Sequence, residues 1–266
     1  MIMRGGLLAA LALALALTAG CASPPAGPSA QERNALAPTG TLRVGVYPGS
    51  PTSWVKDATG EDRGVSVEIG KDLARRLGVP FQQVEFPRVA VVLEMLKAGQ
   101  VDFTVTNATP ARARDMNFTE PLLELELGYL VIQGSRVVAI ADVDRAGIKV
   151  GVSEGSTSQT TLTRELKHAL VVGTPSLKVA ADMLSNGQLD TFATNKAILF
   201  EMSDQLPGAR VLEGRWGLEQ LAIAIPKGRE AGMMYARDFA AKVKTTGLVT
   251  HAAERAGLRG TLPAAP

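Results

Sequence analysis

Two stretches of this chain repeat one another: GQVDFTVTN at Gly99 to Asn107 and GQLDTFATN at Gly187 to Asn195. Laid from Phe86 and Thr174 at a constant offset of 88 with no gap, nine of 22 positions are identical, among them Pro87/Pro175, Met95/Met183, Gly99/Gly187, Asp102/Asp190 and Asn107/Asn195. Each copy reads as a helix with Pro at its head, apolar residues on one face and a Gly at its end, followed by a short β-prone strand closing on Thr-Asn. A second helix is expected after each Asn, capped by Thr109-Pro110 in the first copy and by Asn195 itself in the second. Helix, strand and helix made twice predict two α/β lobes of similar build.

The remaining pattern agrees. Leu42 to Val46 reads as a strand, and Val67 to Leu77 as a helix with Ile69, Leu73 and Leu77 on one stripe, stopped by Gly78 and Pro80. Ile148 to Val152 reads as a strand, with a helix from the turn Ser153 to Ser156 through Leu166. Ligands of open α/β sheets gather at the carboxyl ends of strands, where both Asn residues stand, so the repeat predicts a cleft between lobes.

Before this comes a leader. Arg4 is followed by a Leu/Ala run to Leu17 and then Thr18-Ala19-Gly20-Cys21, which reads as a secretion signal over residues 1–20. The run is shorter than the roughly 20 residues of a membrane span. Cys21 is the only cysteine, so no intramolecular disulfide forms, and its setting predicts an acylated N-terminus followed by a flexible tether over 21–38.

Composition excludes several activities. The 28 basic and 26 acidic residues are interspersed and give a net charge of +2, which argues against a nucleic-acid surface. His168 and His251, both in predicted helices, are the only histidines. No Ser-His-Asp order, metal-spaced His/Cys cluster or phosphate-binding Gly-rich loop is visible, so no catalytic residue, metal or cofactor is expected.

The chain resembles the bacterial extracellular solute-binding proteins of family 3, the polar amino-acid receptors of ABC transporters. The likeness runs from about Thr41 to Leu258 through TLRVGVYPGSPTSWVKDATG, RGVSVEIGKDLARRLG, TNATPARARDMNFTEPL, GVSEGSTSQ and GQLDTFATN. It implies the two-lobed, type II periplasmic binding protein fold, with hinge crossings near Leu123 to Leu127 and Glu219 to Ala222. Residues 39–125 and 222–260 would form lobe one and residues 126–221 lobe two.

The resemblance also implies a site. Arg112 falls on the arginine that grips a ligand carboxylate, for which its planar fork of donors is suited, and Thr109 and Asn107 add hydrogen bonds to the same group. Ser156 and Thr157 precede a helix whose N-terminus favours an anion. Asn195 stands where amino-acid receptors carry an Asp for the ligand's ammonium; a neutral amide weakens that contact, leaving Glu68, Glu124 or Glu126 as substitute carboxylates. Ser50 and Val89 replace the usual Tyr and Phe of an aromatic clamp, and Tyr47 and Trp54 in the same loop offer a flat surface instead.

The expected function is the substrate-binding component of an ABC importer, a monomer lipid-anchored through Cys21 in the periplasm or at the cell surface. It would close its lobes on a small carboxylate-bearing solute and pass it to a permease. A periplasmic enzyme of the same fold, like cyclohexadienyl or arogenate dehydratase, and a stand-alone sensor lipoprotein are the alternatives.

Overall fold

The computed structural model describes residues 27–262; Cys21 and the leader lie outside them. The expected tether is shorter than 21–38, because Ser29 and Glu32 form a capping box that starts helix α1 (Ala30–Leu36). Leu36 and Ala37 are buried in the first core, which ties this segment down.

Lobe one continues through β1 (Leu42–Val46), β2 (Val55–Lys56), β3 (Asp62–Arg63), α2 (Val65–Leu77), β4 (Phe81–Glu85), α3 (Val89–Lys97), β5 (Thr104–Asn107) and β6 (Met116–Phe118). The stripe Ile69, Leu73 and Leu77 seats α2 against Leu42, Val44 and Phe103. Burial of each such side chain stabilises the fold by about 1.5 to 3 kcal/mol. Strand β7 (Leu123–Val131) then crosses into lobe two, built from β8 (Lys149–Ser153), α4 (Thr157–Glu165), β9 (Leu170–Thr174), α5 (Leu177–Ser185), β10 (Thr191–Asn195), α6 (Lys196–Gln205) and β11 (Arg210–Val211). Strand β12 (Gly217–Pro226) returns to α7 (Met233–Thr245), α8 (Leu248–Arg255) and β13 (Thr261–Leu262). His168 falls in the bend after α4 rather than in a helix.

The two crossings pair with each other, antiparallel, from Gly217↔Leu127 to Leu221↔Leu123. Past that ladder they part: β12 pairs β5 in lobe one, and β7 pairs β10 in lobe two. One sheet therefore runs through the hinge in the order β5-β12-β7-β10-β8-β9. A third link was not expected. Thr261 pairs with Leu125 on β7, and Arg259 is bonded to Asp204 and stacked 4.7 Å from the Phe200 ring, both on α6 of lobe two.

The repeat is visible as structure. Helices α3 and α5 keep the offset of 88. Each is ended by a glycine in the left-handed region, Gly99 at φ 68° and Gly187 at φ 66°. Asp102 accepts from the Arg43 backbone N–H at 2.9 Å and Asp190 from that of Lys149 at 2.8 Å, so each pins its copy to the neighbouring parallel strand. The copies diverge after Thr-Asn. Asn195 caps α6 as expected, its Oδ1 accepting from Ile198 N–H. The Oδ1 of Asn107 is taken by the Gln220 N–H instead, and no helix starts at Thr109-Pro110. A single 3-10 turn, Arg112–Arg114, leads straight into β6.

Candidate functional site

The carboxyl ends of β5 and β10, the start of α4 and the crossing β12 enclose a cavity of about 40 Å³ between the lobes. A wider groove of about 800 Å³ adjoins it and shares Asn107, Arg112, Ser156 and Thr157. The lobes touch around the cavity. Asn107 Nδ2 donates to Thr157 Oγ1 at 3.3 Å, Arg88 pairs with Glu154 at 3.2 Å, and Gly155 meets α3. A Cβ on Gly155, whose φ is 72°, would lie 2.6 Å from that of Ala90, so both backbone shape and space require glycine there.

Arg112, in the 3-10 turn, is aimed by strand β5 before it. Its Nη1 donates to Thr106 Oγ1 and to the Asn107 carbonyl, both at 3.0 Å, and it forms no salt bridge among the described residues. Burial lowers its guanidinium from the ordinary arginine value, and the charge of Glu219 opposes that effect. An arginine in such a place is a ready partner for a carboxylate.

The other expected residues divide. Tyr47, Asn107, Ser156, Thr157 and Asn195 line the cavity with Arg112, and Thr109 lines the groove. Two hydroxyls are engaged locally: Ser156 Oγ caps α4 through Gln159 N–H, and Thr109 Oγ1 accepts from Arg112 N–H. Ser50 and Trp54 line neither space. Ser50 is buried and bonded to Thr52 at 2.9 Å, while Trp54 is held by Asp62 at 2.7 Å and packs on the lobe-one core. Val89 lines the cavity as an aliphatic wall.

None of the three expected substitute carboxylates reaches the cavity. Glu68 lies 3.8 Å from Arg255, Glu126 pairs with Lys196 and Arg215, and Glu124 accepts from Gln220 in the groove. The carboxylate that does line it is Glu219, on crossing β12, which accepts from Asn195 Nδ2 at 2.7 Å. Burial pushes its carboxyl above the ordinary glutamate value, against the opposing pull of Asn195 and Arg112. Its signal was in the sequence. In GLEQLAIAIP the period of two puts Glu219 on one strand face with Leu221, Ile223 and Ile225, all buried, so its side chain points inward.

Two α/β lobes joined by paired crossings around such a cleft define a two-lobed receptor of the type II binding-protein class. Residues 42–255 match the bacterial extracellular solute-binding proteins, family 3, and the chain belongs to that family. It is 26% identical over 178 residues to the ABC transporter glutamine-binding protein GlnH of Bacillus subtilis, a match spanning 65% of each chain, just under two thirds of that relative. The solute receptor for L-cysteine of Neisseria gonorrhoeae superposes with a TM-score of 0.75 and 26% identity, covering 84% of this chain and 92% of that one. An ancestral amino acid-binding protein, described as a precursor of cyclohexadienyl dehydratase, shares the fold at 22% identity and a TM-score of 0.72, covering 84% and 98%.

Proposed function

We propose that this protein is the substrate-binding component of an ABC importer, capturing a carboxylate-bearing amino acid or related organic acid between its lobes by hinge closure. The observation that carries this reading is Arg112, largely withdrawn from water, free of any salt bridge among the described residues and set at a cavity both lobes line. Relatives named for binding glutamine and L-cysteine support it. We take it to act as a monomer, anchored through an acylated Cys21 in the periplasm or at the cell surface, with a permease as its partner. Membrane fractionation tests the anchor: Cys21→Ser should release the protein to the soluble fraction.

A thermal-shift screen of amino acids, keto acids and dicarboxylates tests the ligand class. A ligand of the native state at a hundred times its Kd adds about 2.7 kcal/mol, which raises Tm by several degrees. No shift with any member would overturn the reading. The same names support binding without turnover, and incubation with a prephenate-like acid should leave it unconsumed.

A further inference from the structure

We infer that Glu219, held in place by Asn195, is the cation-binding group of this cleft, so that its ligand is an α-amino acid rather than a plain organic acid. The inference rests on the proposed amino-acid reading and goes further by assigning the ammonium subsite to a residue of the hinge strand.

Three observations lead there. Asn195 spends its amide oxygen on the Ile198 N–H and turns its NH₂ group to Glu219, so toward the carboxylate the amide presents donors, not an acceptor for an ammonium. It therefore positions Glu219 instead of replacing it. Of the two Glu219 oxygens, only Oε1 accepts a hydrogen bond from a described residue, which leaves Oε2 for a ligand. Among the residues lining the cavity, Arg112 and Glu219 are the only charged ones, of opposite sign. A zwitterion satisfies both, whereas a keto acid or dicarboxylate sets an anion against a buried carboxylate.

Isothermal titration calorimetry with the twenty L-amino acids, each binder repeated as its α-hydroxy acid (L-alanine with L-lactate, for example), tests the assignment. The wild type should bind the amino acid at least a hundredfold more tightly than its hydroxy partner. Glu219→Gln should weaken the amino acid tenfold or more, change the hydroxy acid little, and so bring the pair close together. Should that variant fail to fold, the wild-type pH profile decides. In mildly acidic solution a free amino acid keeps both charges, while Glu219, raised by burial, takes up a proton. The charged or titratable neighbours lining the cavity are Arg112, which stays protonated, and Tyr47, whose burial raises it further from this range. Amino-acid affinity should therefore fall as pH drops, starting above the ordinary glutamate range, and hydroxy-acid affinity should not. A Glu219→Gln protein that keeps both affinity and discrimination, or a pH profile flat for both probes, overturns the assignment while leaving the Arg112 site intact. Absence of heat with every amino acid overturns the amino-acid reading and this inference with it.

Discussion

The copies GQVDFTVTN and GQLDTFATN are alike up to their aspartates and unlike after their asparagines. Asp102 and Asp190 do the same work, pinning a strand to its parallel neighbour, yet Asp102 is fully buried between Arg43 and Arg229 while Asp190 pairs with an exposed Arg136. Beyond Thr-Asn, lobe one turns back through Arg112, which faces the cavity, and lobe two starts a helix whose cap, Asn195, also donates to Glu219. The difference teaches that one helix-strand scaffold can be used twice while the segments around each asparagine bring opposite charges, Arg112 and Glu219, to the same cavity.

Arg112→Ala breaks the comparison most. It should cost amino-acid binding about 2 to 5 kcal/mol, measured by calorimetry, because a desolvated carboxylate loses its charged partner. Asp102→Ala should lower folding stability by about 3 kcal/mol in urea unfolding, since it strands two largely buried guanidinium groups. The matching Asp190→Ala should cost only about 1 kcal/mol, as its ion pair is open to solvent and screened. Equal costs for the two would mean that the copies are structurally interchangeable after all. Asn195→Ala should cost about 1 to 3 kcal/mol, because it removes a helix cap and the bond it gives the buried Glu219 carboxylate, and lower Tm by several degrees, while Asn107→Ala, whose bonds to Gln220 and Thr157 are more exposed, should cost less.

Asn195→Asp sharpens the contrast from the other side. By family resemblance alone, restoring Asp there should improve amino-acid binding. Beside Glu219 it instead sets two carboxylates against each other, which then share a proton, so calorimetry should show no gain. A clear gain would return the ammonium to residue 195.

Much of this was legible in the sequence because it is local or periodic. The offset of 88 placed α3 and α5, the glycine stops held, and the resemblance brought Arg112 and Asn195 to one cavity. What stayed hidden depends on partners distant in sequence. Whether an Asn after a strand caps a helix turns on what else competes for its oxygen, and for Asn107 the competitor, Gln220, is 113 residues away. Glu219 showed its inward direction in the alternation of GLEQLAIAIP, but its meeting with Asn195 is set by the arrangement of strands in the sheet. Trp54 stands outside both spaces because lying in the right loop says nothing of which way the ring turns; Asp62 decides that.

The return of the chain's far end to the hinge has a mechanical meaning. Two paired strands make a narrow strip that bends and twists with similar ease, whereas β13 alongside β7, with Arg259 fastened to α6, widens the strip and adds a rivet on lobe two. Twist is then resisted more than flexing, as in a plank compared with a cord. If the lobes close on a ligand as proposed, this strip gives their motion one soft direction, and a single interlobe angle should report whether the cleft is filled.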